Sequence, residues 1–336
     1  MNHLDILSDT NVKTTCSTNK MKSSMMFRQK ISPENKNLTV KKDSLDSKKI
    51  IKFLCISLIK LFIKNDVSLK NLNLSINSCH FLFGICEIIL NHPNLISRIE
   101  NFKLMVMDQP NFDLLQPFLT SLPSLSSLIK HFNPIYSHIF YGGMLPKNIA
   151  NIIQSQTQLS SLSFGCVIAD TYLLNTFRYC FNTLTSIEFL HCKFSDVLSF
   201  NVLTLLTKLQ SLQFIHCQGI TAQFFQPLLD TPTPLKIKTL RVSGPISGIA
   251  LLLQKVGPYL KHLELAIHEE NTLKCIMNSC ETIKFLSLSI GDPNLLQLYE
   301  LIIHLKHHLK YLSLDNSNPW YVWFNWFNYF KFKNLE

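Results

Sequence analysis

The chain has 336 residues, 46% of them hydrophobic and only 16% charged, with a formal net charge of +10. That length and apolar content suffice for one large core or a stacked array, and the charged share lies below the usual fraction of about a quarter. Nine glycines, with no GxGxxG or GxxxxGK[ST] run, exclude a glycine-rich phosphate loop.

Residues 1–47 read as a disordered basic leader. The first 50 residues hold ten Lys/Arg and five Asp/Glu, so half of the net charge lies there. "VKKDSLDSKK" also admits a nuclear address or a polyanion contact, although acids interrupt it. The start "MNHLDILSDT" has no apolar h-region, so the ten cysteines read as small buried residues of a reducing compartment, cytoplasmic or nuclear. "IIKFLCISLIKLFI" at 50–63 is too short to span a membrane and contains Lys52 and Lys60. Its apolar residues Ile51, Leu54, Cys55, Leu58, Leu61 and Phe62 predict one amphipathic helix.

From residue 48 to 316 a template L-x-x-L-x-L recurs. It starts at Leu69, Ile99, Leu125 (a poor copy with Leu128), Leu159, Leu184, Leu209, Ile237, Leu260, Ile283 and Leu309. The steps are 30, 26, 34, 25, 25, 28, 23, 23 and 26 residues, mostly within the range of about 20–29 for leucine-rich repeats. The last two apolar positions of each copy are two residues apart, which places them on one face of a short strand. Such strands complete their hydrogen bonds by stacking in parallel, and the dozen or more intervening residues supply the crossover. The segments 196–209, 222–230 and 295–305 have helical spacing. The expected fold is therefore α/β: a leucine-rich-repeat solenoid, or horseshoe, with strands on its concave face and helices on its convex face.

The copy "LQSLQFIHCQGIT" places Leu209, Leu212, Phe214, Cys217 and Ile220 in the pattern L-x-x-L-x-L-x-x-C-x-x-I-T. The copy at 184 repeats it with Leu184, Ile187, Phe189 and Cys192. This resembles the cysteine-containing repeat of F-box/leucine-rich-repeat proteins, over roughly residues 60–316. The resemblance implies a substrate receptor of an SCF-type ubiquitin ligase, in which an N-terminal F-box holds the adaptor and the repeats hold the substrate. No F-box pattern is recognisable here beyond "HLDILSD" at 3–9.

The residues between the apolar positions are expected on the concave face as a protein-binding groove: Ser186, Glu188, His191, Ser211, Gln213, His216, Thr239, Arg241, His262, Glu264 and Tyr311. Its centre is placed at Glu188, His191, His216, Arg241 and Tyr311. Two His–Cys pairs resemble a zinc set in composition, but successive strand residues face opposite ways, so each His should point out and each Cys in. The same holds for "CIMNSC" at 275–280, read as core. No metal, cofactor or catalytic set is expected, and the face lacks the Lys/Arg density of a nucleic-acid stripe. The function read from this is non-catalytic protein recognition by a chain that is monomeric apart from its partners. A scaffold with no ubiquitin link and a GTPase-activating horseshoe acting through Arg241 are the alternatives. If the two histidines line the groove, binding should change between about pH 6 and 7.5.

The C-terminal segment 317–336 contains all three Trp, and nine of residues 320–332 are aromatic. It reads as a cap on the last repeat or as a tail making a protein or membrane-surface contact.

Overall fold

A computed structural model describes residues 3–6, 39–76, 81–106, 112–136, 144–194, 197, 199–244, 246–267, 271–290 and 295–315. Ten strands follow the repeats in chain order: β2 (Asn71–Ile76), β3 (Asn101–Val106), β4 (His131–Tyr136), β5 (Ser161–Gly165), β7 (Ser186–Leu190), β9 (Ser211–Ile215), β10 (Thr239–Ser243), β11 (His262–Ile267), β12 (Phe285–Ile290) and β13 (Tyr311–Asp315). An eleventh strand, β1 (His3–Ile6), pairs with β2, and the sheet order follows the sequence from β1 to β13. Every pairing is parallel. Two short strands, β6 (Ile168–Ala169) and β8 (Lys193–Phe194), make a small second sheet. The fold is α/β and solenoid-like, as parallel neighbours joined by crossovers require.

With Ile129 in place of Leu125 in the copy at β4, the first template position is buried in nine of the ten copies and half-buried in the last, at Leu309. The second forms one register column, Leu72–Phe102–Phe132–Leu162–Ile187–Leu212–Leu240–Leu263–Leu286–Leu312. The third runs Phe164–Phe189–Phe214–Val242–Leu265–Leu288–Leu314 from β5 onward. Phe189 and Phe214 have no exposed surface and Val242 has 3%. Each such burial contributes about 1.5–3 kcal/mol. No single strand could hold this spine, because its apolar face is closed only by its neighbours and by the helices across from it.

One copy was misplaced by the sequence pattern. The fourth strand takes Ile129 and Phe132, both buried, as its template positions, while Leu125 and Leu128 are only half-buried. Its third position is Pro134, opposite Leu104. A proline lacks the N–H for the ladder, and pairing toward β5 skips from Phe132 to Ile135. Gln156 fixes this register from within: its Oε1 accepts from the Ile129 N–H at 2.9 Å, and its Nε2 donates to the Ser126 carbonyl at 3.0 Å.

The crossovers contain α2 (Phe81–Asn91), α3 (Phe112–Leu125), α4 (Met144–Ser155), α5 (Thr171–Asn175), α6 (Ala222–Asp230), α7 (Ile249–Val256), α8 (Asn271–Ser279) and α9 (Leu295–Leu305), preceded by α1 (Thr39–Lys64). The expected helices at 222–230 and 295–305 form with those bounds. The helix expected over 196–209 does not; among the described residues there, the helical turn is a 3-10 segment, Asn201–Leu205. The strand extension Lys193–Phe194 uses up crossover length there.

The boundary drawn at residue 47 falls inside α1, a stretch without Pro or Gly. Most of the expected leader, and the segment 317–336, lie outside the described residues. The apolar face of α1 also differs from the expected one. Ile59 is buried and Cys55, Ile56, Phe62 and Ile63 pack on the core, whereas Ile50, Phe53, Leu54, Leu58 and Leu61 are exposed. The helix is apolar around more of its circumference than one neighbour can cover. Among the described residues no helix is long and apolar enough to cross a membrane.

Candidate recognition surface

Along β7, β9 and β10 burial alternates with period two; the alternation breaks at the end of the stack, where Ser313 is buried and Leu314 is exposed. The side chains that face away from the core are therefore presented in rows, one residue per strand. One row runs Ser161–Ser186–Ser211–Thr239–His262–Phe285–Tyr311. The next runs Ser163–Glu188–Gln213–Arg241–Glu264–Ser287–Ser313. Of the sequence-predicted groove residues, His262 is exposed and all the others are half-buried. All of them stand on this open face or at its rim.

Cross-strand bonds order these rows. Ser163 Oγ donates to Glu188 Oε2 at 2.5 Å, and Arg241 Nε donates to Glu264 Oε1 at 2.7 Å. Gln213 Nε2 donates to Ser211 Oγ at 3.3 Å. The Arg241 guanidinium is thus engaged along the sheet with its neighbour. His262 and Phe285 lie 4.6 Å apart between ring centroids, and Phe285 and Tyr311 6.1 Å. Five strand spacings separate β7 from β13, about 24 Å at the usual interstrand distance. Tyr311 therefore does not join Glu188 and the histidines in one centre. It belongs to a second, aromatic patch, and the central patch is Glu188, His191, Gln213, His216, Arg241 and Glu264.

His191 and His216 stack with ring centroids 5.0 Å apart and an interplanar angle of 19°. Both occupy left-handed backbone, at φ 52° and 51°, as does Cys166 one repeat earlier at φ 55°; Gly244 takes φ 105° one repeat later. This conformation costs a non-glycine residue roughly 1–2 kcal/mol. It lets each N–H reach the carbonyl at the end of the next strand: Cys166 to Leu190, His191 to Ile215 and His216 to Ser243, each at 2.7 Å. Gly244 is the sequence signal that would have revealed this turn. Burial lowers the proton affinity of both imidazoles. For His216 the neighbouring His191 and the Arg241 charge act the same way.

The cysteines of the two copies point inward. Cys192 Sγ donates to the Phe164 and Leu190 carbonyls, both at 3.5 Å, and Cys217 Sγ donates to the Phe189 carbonyl at 3.3 Å. Burial drives the Cys192 thiol well above its ordinary range. These thiols close the turn and satisfy strand-end carbonyls. Ile220 is buried beside them at 4% exposure. Cys275 and Cys280 are buried as well, the latter pushed up to about 12 by burial. Among the described residues no group of three or more His, Cys, Asp or Glu is placed to hold a metal ion.

No protein-family model matches the chain, and no curated protein matches it.

Proposed function

We propose that this chain is a leucine-rich-repeat horseshoe that recognises a protein partner without catalysis, on the concave side of its sheet. The observation that supports this best is the row of half-buried polar side chains Ser163, Glu188, Gln213, Arg241, Glu264 and Ser287 on the open face of β5 through β12. A helix or loop packed on that face would bury those side chains; instead they stay accessible with their neighbours ordering them. Flat, polar, pre-ordered surfaces with a few aromatic and Arg residues suit protein recognition, in which a small set of such side chains supplies most of the affinity.

The narrower form is an F-box-like receptor of an SCF-type ubiquitin ligase, supported by the cysteine-containing copies at 184 and 209. That form needs a second surface for the ligase adaptor, and the exposed stripe Ile50, Phe53, Leu54, Leu58 and Leu61 on α1 offers one. Pull-down of purified adaptor by the full chain tests it. Capture that is lost on Leu54→Glu/Leu58→Glu supports the receptor; no capture by the unmodified chain sinks it and leaves an adaptor or scaffold without a ubiquitin link. Proximity labelling in the native cell, repeated with Glu188→Lys and Arg241→Glu, tests the groove. A partner retained at full affinity by both variants would remove the central patch from the function.

A further inference from the structure

The turn residue that enters each strand forms its own column, linked rung to rung by backbone hydrogen bonds. Glu100 N–H donates to the Lys70 carbonyl, Lys130 to Glu100 and Ser160 to Lys130. At the other end Lys238 N–H donates to Gln210, Lys261 to Lys238, Lys284 to Lys261 and Lys310 to Lys284, at 2.8–2.9 Å. Four consecutive rungs are therefore lysine, and all four are exposed. Adjacent rungs stand about 4.8 Å apart, where like charges are destabilising.

The two ends of this column treat charge differently. At the start Glu100 sits between two lysines, 3.2 Å from Lys130 and 4.0 Å from Lys70. At the end Lys238 reaches only the neutral Gln210, at 2.9 Å. Lys261, Lys284 and Lys310 form no ion pair among the described residues. Lys236 and Lys306 also lie, exposed, in the turns that enter β10 and β13, and Glu281 is the one acid in the turns that enter β10 to β13. Each of the last three lysines is followed by a ring on the open face: His262, Phe285 and Tyr311. Phe285 remains 41% exposed.

We infer that this rim binds an acidic, extended peptide segment of the protein partner, carboxylates on the lysine row and an apolar side chain on the ring row. The inference rests on the protein-recognition reading and names the partner's chemistry. Four rungs span about 14 Å, the length of four to five extended residues at about 3.3 Å each. Lysine stems are long and flexible enough to absorb the difference in spacing. A nucleic acid fits less well. The row holds no Arg, the side chain best shaped for phosphate. The column also turns neutral at Gln210, Thr185 and Ser160, so a long polyanion running along it would lose its charge partners beyond Lys238.

Fluorescence anisotropy with the full chain tests this, using a peptide of alternating glutamate and leucine, its glutamine counterpart, and an oligothymidylate of equal charge. The glutamate peptide should bind at low salt and the glutamine peptide should not. Lys261→Gln and Lys284→Gln should each weaken binding about 1.4- to 5-fold, the range of exposed ion pairs, and the fourfold lysine variant should abolish it. Lys70→Gln, at the other end of the column, should leave it unchanged. Thermal melting of the lysine variants should be unaltered or slightly higher, because a repulsion is removed. Equal binding by the fourfold variant, equal binding of the glutamine peptide, or tighter binding of the oligothymidylate would overturn the inference. Absence of glutamate-peptide binding while proximity labelling still finds a partner that is lost on Glu188→Lys or Arg241→Glu would sink this inference alone; absence of both would sink the recognition reading with it.

Discussion

Replacing Phe189 by alanine is the sharpest test of which face of the sheet is the core. Phe189 has no exposed surface. Its ring stacks 5.5 Å from Phe164 on one side and 5.5 Å from Phe214 on the other. Phe194 and Phe200 meet it edge-on at 5.1 and 6.3 Å. With Phe177 stacked at 6.4 Å as well, truncation removes the transfer term and leaves a cavity that five rings cannot collapse into, so the cost should be about 3–5 kcal/mol. A domain is stabilised by about 5–15 kcal/mol in total, so the loss is a large part of the whole. Phe285→Ala is the control, since that ring lies on the open face and, among the described residues, meets the rings of His262 and Tyr311; it should cost about 0.5–1.5 kcal/mol, the worth of aromatic pairs. Urea unfolding of both variants, read by midpoint and slope, decides the matter. Combining Phe189→Ala with Phe214→Ala should give a coupling above about 0.5 kcal/mol, as contacting residues do. A Phe189→Ala cost below about 1 kcal/mol, or one no larger than that of Phe285→Ala, would refute the assignment of faces.

Three further outcomes follow from single sites. Burial lowers the proton affinity of His191 and His216 in the folded chain, so just below the ordinary histidine value of about 6.5 the unfolded chain binds more protons. Stability should therefore be complete above that value and fall as pH drops toward the lowered folded values; urea midpoints at acid and neutral pH should differ less in His191→Gln/His216→Gln, and an identical pH slope would exclude the pair. The same shift moves any pH response of partner binding toward lower pH than for unperturbed histidine. Gly219→Ala should cost more than about 1 kcal/mol on thermal melting, because Gly219 has φ +81° and an added Cβ would meet the Phe194 carbonyl oxygen; an unchanged Tm would contradict the turn geometry. Arg241→Ala should cost about 1 kcal/mol or less, and less still in high salt, since Arg241 and Glu264 side chains are 25% and 45% exposed; a salt-independent loss above about 2 kcal/mol would mean the pair is buried.

The repeat was legible where Leu, Ile or Phe fills all three template positions, because burial demands only an apolar side chain at a fixed spacing. It failed at the fourth strand for a chemical reason. Pro134 occupies the third position, and a proline there breaks the apolar pattern, so the nearby Leu125 and Leu128 offered a better match to the template. The face of α1 was illegible for a different reason. Apolar residues fall on two stripes of that helix, and periodicity alone cannot say which stripe a neighbouring α2 will cover. The rows of the groove could be read from alternation, but the distance between Glu188 and Tyr311 required knowing that each repeat advances the sheet by only one strand.

The histidine column shows why a candidate site here cannot be separated from the core. His191 and His216 stand side by side because the residue after each strand must turn left-handed to give its N–H to the next strand, and two successive copies place His there. The following cysteine then points inward, and its thiol takes up the carbonyls at the strand ends. The backbone strain at each histidine, roughly 1–2 kcal/mol, is offset by these bonds repeated along the stack. Glycine would meet the same backbone demand at lower cost, as Gly244 does one repeat later. The turn accounts for where the two imidazoles sit but not for why imidazoles were kept. Their half-exposed position on the open face, next to Arg241, is what places them in the proposed recognition surface.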